Sequence, residues 1–148
     1  MPNPLFLPNQ RPAAAARLTG APGYESIRGQ VLFYPAPGGT IVVTQVRGLP
    51  AGRFFAMHIH QGSSCQPLGA DPFGQAGGHW GPPPHPEHWG DLPVLLSSRG
   101  YAWSAVYTGQ FRPEQAKHHT VILHRNPDDY RTQPAGNAGD RIACGVIR

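Results

Sequence analysis

Charged residues, long apolar runs and cysteines are all scarce in this chain of 148 residues. Asp, Glu, Lys and Arg make up only 14% of the sequence, which excludes an extensively ion-paired surface. No apolar run approaches the roughly 20 residues that a membrane-spanning helix needs. The two cysteines, Cys65 and Cys144, provide few sulfur ligands for a metal site. The length is that of one domain with a core of its own.

The basic residues are spread singly along the chain rather than gathered in one segment. A net charge of +4 attracts anions in general. Segments that bind nucleic acid usually interleave clustered Lys and Arg with aromatic residues, and no such cluster is present. The sequence therefore favours a small anionic substrate and predicts neither a nucleic-acid partner nor a membrane partner. The dispersed arginines are Arg17, Arg28, Arg47, Arg53, Arg99 and Arg112.

The first residues, "MPNPLFLPNQRPAAAARL", lack the basic start and uninterrupted apolar core of a secretory signal. Prolines interrupt this segment throughout. We therefore expect a flexible tail over residues 1–12, followed by one domain over residues 13–148. The same feature favours a cytoplasmic location, with export left open if a signal has been removed.

Short apolar segments with period-two alternation recur between turns rich in Gly, Pro and Asn. The one short helix candidate is "RPEQAK" at residues 112–117. Strands at this spacing predict an antiparallel β-sandwich or barrel. The predicted strands cover residues 14–20, 26–35, 39–49, 53–60, 100–111, 117–125 and 140–148.

The strand pattern stops between residues 61 and 98, and this predicted loop holds much of the polar chemistry. A loop of that length in a compact domain is usually functional or disordered. Its segment "GGHWGPPPHPEHWGDLP" (77–93) contains nitrogen and oxygen donors suited to zinc. These donors are His79, His85, His88 and Asp91.

Two further histidines stand one residue apart in the predicted strand "RFFAMHIH". Alternate residues of a strand point to the same face, so His58 and His60 present two imidazoles on one side. His124 lies in another predicted strand, within "VILHR". Histidines on strands are more often ordinary polar residues than ligands, and each pattern alone leaves both interpretations open. Together, the six histidines and Asp91 favour an imidazole-rich metal site, for which zinc and copper are suited.

Five motifs, taken in chain order, resemble those of copper–zinc superoxide dismutases of the bacterial type with shortened zinc and electrostatic loops. They are "AMHIH", "GGHWGP", "HWGDLP", "VILHRNPDD" and "GNAGDRIACGVI", and the resemblance extends from about Ala14 to Arg148. It implies an all-β fold, a Greek-key antiparallel β-sandwich or barrel with long metal-binding loops. It also implies an enzyme that disproportionates superoxide to dioxygen and hydrogen peroxide at a copper ion beside a zinc ion.

The resemblance also assigns roles to individual residues. His79 would bridge the two metals and take part in catalysis together with Arg141, which would guide the substrate. Asp128 would hydrogen-bond ligand histidines of both metal sites, and Cys65 and Cys144 would form an intrasubunit disulfide. The copper ligands would be His58, His60, His79 and His124. The zinc ligands would be His79, His85, His88 and Asp91.

The chain departs from the family pattern in the stretch that follows His79. This stretch is short, which leaves His85 as the candidate for the remaining zinc ligand, displaced toward the "HWGD" motif. The alternative function is a copper-binding or carrier protein of the same fold without significant dismutase turnover. The oligomeric state stays open, with a homodimer among the options.

Overall fold

Short β-strands dominate the computed structural model of the protein, which describes residues 10–148. Within these residues lie nine strands, the four-residue helix α1 (Pro113–Ala116) and a 3-10 turn at Gly74–Ala76. The strands are β1 (Ala14–Gly20), β2 (Arg28–Ala36), β3 (Gly39–Arg47), β4 (Phe54–Phe55), β5 (Met57–His60), β6 (Leu95–Leu96), β7 (Tyr101–Thr108), β8 (Thr120–His124) and β9 (Arg141–Val146).

Seven strands form one antiparallel sheet in the order β5-β8-β9-β1-β2-β3-β7. Strand β5 follows β3 and β4 in sequence but pairs with β8 at the far edge, whereas β7 returns to β3. Long connections of this kind characterise a Greek key. The predicted all-β antiparallel fold is confirmed.

The core lies on one face of the sheet, because alternate residues of each strand point the same way. Leu18 on β1, Phe33 on β2 and Val42 on β3 are fully buried in one cluster with Ile59 of β5 and Leu123 of β8. Burying a side chain of this size contributes roughly 1.5–3 kcal/mol of transfer free energy. The core therefore holds together the two strands from which the histidines project.

The predicted strand over residues 53–60 is interrupted at Ala56, and here the structure differs from the prediction. The Ala56 amide donates to Asn126 O at 2.9 Å, outside the ladder. As a result β4 pairs with β6 while β5 pairs with β8. The predicted loop over residues 61–98 also contains β6 and the 3-10 turn, both too short to produce a periodic signal.

The chain is tied to the sheet just before β1, where the Ala13 amide donates to Phe33 O at 2.8 Å. The tail predicted over residues 1–12 lies largely outside the described residues, which begin at Gln10. Its flexibility and the domain boundary at residue 13 stay predictions. No helix within residues 10–148 has the length and apolar character to cross a membrane.

A disulfide bond joins Cys65 in the long loop to Cys144 in β9. Cys144 is buried in a small cluster with Phe73 and Ile122, and Cys65 packs against the same cluster. The pairing implied by the family resemblance is confirmed. The bond fixes the first part of the loop that carries His79 to the central sheet.

We expect the double substitution C65A/C144A to lower the free energy of unfolding by about 4 kcal/mol, because the bond closes a loop between residues 79 positions apart. Chemical denaturation of metal-free parent and variant measures this difference. The parent treated with reductant is the matched control and should unfold at the midpoint of the variant. Coincident unfolding curves for the oxidised parent and the variant would contradict the prediction.

Candidate metal centre

The long loop passes beside β5 twice and adds backbone hydrogen bonds to it. The Trp80 amide donates to Ile59 O, and the Ile59 amide donates to Gly90 O, each at 2.9 Å. A Cβ at Gly90 would lie 2.2 Å from Ile59 O, so this close approach requires glycine. Two distant parts of the loop are thereby held against the strand that carries the His-x-His pair.

This pairing sets loop residues beside strand residues in fixed register. His79 forms an isolated antiparallel bridge with His60, and Asp91 forms one with His58. On its other side β5 pairs with β8, the strand that ends at His124. Three separate segments of the chain therefore supply side chains to one location.

Four histidines form the first cluster, each contributing one ring nitrogen, and these four atoms lie within 4.8 Å of one another. The side chains are almost completely withdrawn from water. The structure thus brings together all four residues that the sequence proposes as copper ligands. They are His58, His60, His79 and His124.

The rings of His60 and His124 show why this cluster suits a cation. Each Nδ1 lies beside a backbone carbonyl, Gly77 O at 2.8 Å and Gly139 O at 3.1 Å, so each Nδ1 carries the proton and donates it. Burial lowers the pKa of both rings, that of His124 to about 3, so both are neutral. Their Nε2 atoms then face each other at 3.2 Å with two lone pairs and no proton between them.

His58 and His79 each keep one buried ring nitrogen without a hydrogen-bond partner among residues 10–148. The Nε2 of His58 lies 2.7 Å from Asp128 Oδ2, which leaves Nδ1 unpartnered. The Nδ1 of His79 lies 2.7 Å from Asp91 Oδ1, which leaves Nε2 unpartnered. A buried acceptor without a partner costs roughly 1–3 kcal/mol. The four-imidazole set therefore fits a copper ion, which would satisfy these atoms.

The second cluster surrounds the carboxylate of Asp91. Three Nδ1 atoms lie close to it, those of His79 at 2.7 Å, His88 at 2.9 Å and His85 at 3.0 Å. The His85 contact lacks hydrogen-bond geometry, so this buried nitrogen also has no partner within the described chain. Three imidazoles and one carboxylate are a donor set that fits tetrahedral zinc. Burial raises the pKa of Asp91, but hydrogen bonds from His79 and His88 bring it below its ordinary value.

His85 reaches this cluster because the loop between β8 and β9 holds its backbone. The side-chain amide of Gln133 accepts from the His85 amide at 2.9 Å and donates to His85 O at 2.6 Å. Gly136, with φ +69°, allows the ring to approach, since a Cβ there would lie 2.7 Å from His85 Nε2. The shortened loop thus still delivers a third imidazole.

Asp128 connects the two clusters. Its Oδ2 lies 2.7 Å from His58 Nε2 and its Oδ1 lies 2.9 Å from His85 Nε2. Burial raises the pKa of Asp128, but hydrogen bonds from His58, His85 and the Tyr130 amide outweigh this effect and lower the pKa to about 2. The ionised carboxylate keeps both Nε2 atoms protonated, so the Nδ1 lone pairs of both rings point into their clusters.

Arg141 lies next to the first cluster because of a β-bulge. The register of β8 and β9 shifts after Leu123, so that Arg141 lies opposite His124. Its guanidinium donates to Phe73 O at 3.0 Å and to Gly77 O at 2.6 Å. The side chain is 19% exposed, which leaves it accessible to a small anion.

Three contributors to the site are absent from the sequence prediction. The carbonyls of Gly77 and Gly139 orient the His60 and His124 rings, and Gln133 fixes the backbone of His85. Backbone carbonyls carry no residue-type signal. The glycines of "GGH" and "GNAGD" are visible in the sequence, but only the fold shows where their oxygens point.

The chain matches the family described as copper/zinc superoxide dismutase over residues 27–147. It is 36% identical to the superoxide dismutase [Cu-Zn] of Deinococcus radiodurans, over 82% of this chain and 78% of that protein. It is 32% identical to the superoxide dismutase [Cu-Zn] of Caulobacter vibrioides, over 81% and 78% respectively.

Solved structures that resemble this chain belong to proteins of the same kind as these relatives. The Cu/Zn superoxide dismutase of Brucella abortus is similar with a TM-score of 0.80 and 28% identity, covering 91% of this chain and 99% of that one. A double mutant of a SOD-like protein from Bacillus subtilis gives a TM-score of 0.73 at 26% identity, over 89% and 95%. The motifs, the fold and these similarities together show that the chain belongs to the copper/zinc superoxide dismutase family.

Proposed function

We propose that the first cluster holds one copper ion, that the second holds one zinc ion, and that these residues carry out the disproportionation of superoxide. The family supplies the activity and the two metals. The assignment to these residues rests on the facing, unprotonated Nε2 atoms of His60 and His124, 3.2 Å apart. The lone pairs on these two nitrogens repel each other unless a cation lies between them.

Each side chain is proposed to use the ring nitrogen or carboxylate oxygen that faces its cluster. On the copper side these atoms are Nδ1 of His58 and Nε2 of His60, His79 and His124. On the zinc side they are the Nδ1 atoms of His79, His85 and His88, which lie closest to Asp91, together with a carboxylate oxygen of Asp91. Bound copper supplies one-electron redox chemistry, whereas zinc has none and acts as a structural partner.

His79 is proposed to serve both ions, because its two nitrogens face different clusters. Two superoxide ions and two protons yield one dioxygen and one hydrogen peroxide, so the site must deliver protons as well as electrons. Nε2 of His79 is buried and has no partner within the described residues. When that atom is free of metal, it can hold a proton and pass it to the forming peroxide.

Arg141 is proposed to bind and orient superoxide beside the copper ligands. A guanidinium stays protonated at every relevant pH and has five N–H donors, of which the Phe73 and Gly77 carbonyls occupy two. A fixed positive charge at a narrow site also raises the encounter rate of a small anion by roughly 10- to 1000-fold at low salt. Superoxide is the substrate that the family membership implies.

The relatives named above carry dismutase names, which does not favour the copper-carrier alternative. The presence of Arg141 next to the copper cluster also favours turnover, since a carrier has no need for an anion-binding group there. The homodimer and the cytoplasmic location stay predictions.

Metal content and dismutase activity, measured on the same reconstituted sample, test the proposed function. We expect equal amounts of copper and zinc with rapid turnover for the parent. His85→Ala should lose zinc and retain copper, because His85 belongs to the second cluster and not to the first. His118→Ala is the matched control, since His118 is exposed and belongs to neither cluster. Full copper loading without turnover would contradict the proposal. Full zinc loading of His85→Ala would show that His85 is not a zinc ligand.

Asp128→Asn should weaken binding of both metals by roughly 10- to 100-fold, because the amide no longer fixes the protons of His58 and His85. Competition with a chelator, followed by elemental analysis, measures both affinities. Asp129→Asn is the matched control, since the neighbouring carboxylate is exposed and bonds only within its own turn. Equal metal retention by the two variants would remove this role from Asp128.

Arg141→Ala should retain copper but lose at least about tenfold in kcat/KM, together with most of its dependence on ionic strength. Arg141→Lys is the control, because it keeps the charge while losing the paired bonds to Phe73 O and Gly77 O. We expect the lysine variant to keep the salt dependence and to recover part of the rate. An unchanged rate in Arg141→Ala would show that the side chain only anchors the loop.

A further inference from the structure

The outer face of β1, β2 and β3 brings together three arginines that lie far apart in the sequence. Residues directly opposite each other in an antiparallel pair share a face, as do every second residue along one strand. Arg28 lies opposite Arg47, and Arg17 lies opposite Gln30, two residues further along β2. All three arginine side chains are exposed, while Leu18 and Val46 between them are buried in the core.

These arginines surround an open cleft of about 580 Å³ on the sheet surface, with Gln30, Gln45 and Tyr101 also in its lining. That volume lies in the range of small-molecule sites. The metal clusters make no use of the cleft. In the sheet, β1 is the nearest of the three strands to β8, which carries His124, and lies two strands from it.

The positive charge of the cleft has no paired counter-charge in the part of the chain that the structure describes. Among residues 10–148, no carboxylate oxygen lies within 4.0 Å of these three guanidinium groups, whereas Arg125 and Arg141 each lie near an aspartate. Within the same residues, Arg28 donates to the carbonyls of Glu25 and Ile27, at 2.6 and 2.8 Å, and to no carboxylate. The Glu25 carboxylate accepts from the Gly23 amide instead.

Such an arrangement has a cost in the absence of a ligand. Like charges directly opposite across two strands destabilise the sheet, and Arg28 and Arg47 form such a pair. A second copy of this chain is a poor occupant, because a two-fold contact would set the same arginines against one another. An anion of higher charge would neutralise all three groups at once.

We infer that this cleft binds a ligand that carries two or more phosphate groups. The planar guanidinium matches phosphate oxygens through paired hydrogen bonds, which a lysine does not reproduce. The amides of Gln30 and Gln45, 2.7 Å apart, add polar atoms between the arginines. The half-exposed ring of Tyr101 offers an apolar face to a sugar or glycerol unit. The phosphates come from either a soluble metabolite or a phospholipid headgroup.

Calorimetric titration of the metal-loaded protein with fructose 1,6-bisphosphate at low salt tests the soluble source. We expect one site per chain and an affinity that falls as salt is added. Arg47→Gln should weaken binding at least about tenfold, since it removes charge-assisted bonds to phosphate. Arg131→Gln, which removes one exposed charge from the loop between β8 and β9, is the matched control and should bind like the parent. Equal weakening of binding in both variants would show that only the net charge of the protein attracts the bisphosphate, and would overturn the inference.

Sedimentation with vesicles tests the lipid source, with cardiolipin, whose headgroup carries two phosphates, against phosphatidylcholine. If the parent binds the anionic vesicles, Arg47→Gln does not and Arg131→Gln still does, the phosphates belong to a lipid headgroup. Binding of the bisphosphate alone assigns them to a soluble ligand, and binding of neither overturns the inference. Arg17→Gln serves as a second variant should Arg47→Gln unfold. Metal content and dismutase activity should be unchanged in both, so this test is independent of the proposed function.

Discussion

The buried carboxylate of Asp128 is the contact on which both metal clusters depend. It accepts from His58 of β5 and from His85 of the long loop, and so fixes the tautomer of one ring in each cluster. The two rings come from segments that have no other reason to share an orientation. For the carboxylate to reach both, the loop after β8 must pack closely, which is why a Cβ at Gly136 would lie 2.0 Å from Asp128 Oδ1.

The barrel imposes on the histidines a geometry that they would not adopt by themselves. Neutral imidazoles with facing lone pairs and buried nitrogens without partners raise the free energy of the folded chain in the absence of metal. The core strands, the Cys65–Cys144 bond and the backbone pairing of the loop to β5 hold these groups in place. Metal binding then offsets the unfavourable free energy of assembling these donors in the folded chain. A preorganised site of this kind needs little rearrangement when an ion enters.

Local patterns predicted much of the fold and of the site, and failed where contacts are long-range. Period-two alternation gave β1 at its observed bounds and put His58 and His60 on one face. It could not show that Ala56 interrupts its strand, because the cause is a hydrogen bond from the Ala56 amide to the carbonyl of Asn126, 70 positions away in sequence. The family motifs gave the proposed ligands that the structure brings together, yet the support of His85 by Gln133 has no motif. Such support depends on which loops the barrel brings together.

The same limitation applies to the distribution of positive charge, which depends on contacts between distant strands. The arginines look dispersed in the sequence, and the net charge of +4 suggested a single anionic substrate. The strand register gathers three of them on β1, β2 and β3, of which β1 lies nearest to β8, two strands away. At about 4.8 Å per strand that separation is roughly 10 Å, whereas charges in physiological salt are screened over about 8 Å. We therefore expect attraction of superoxide to the proposed copper site to depend mainly on Arg141, which leaves the charge of the outer face for the different anion proposed above.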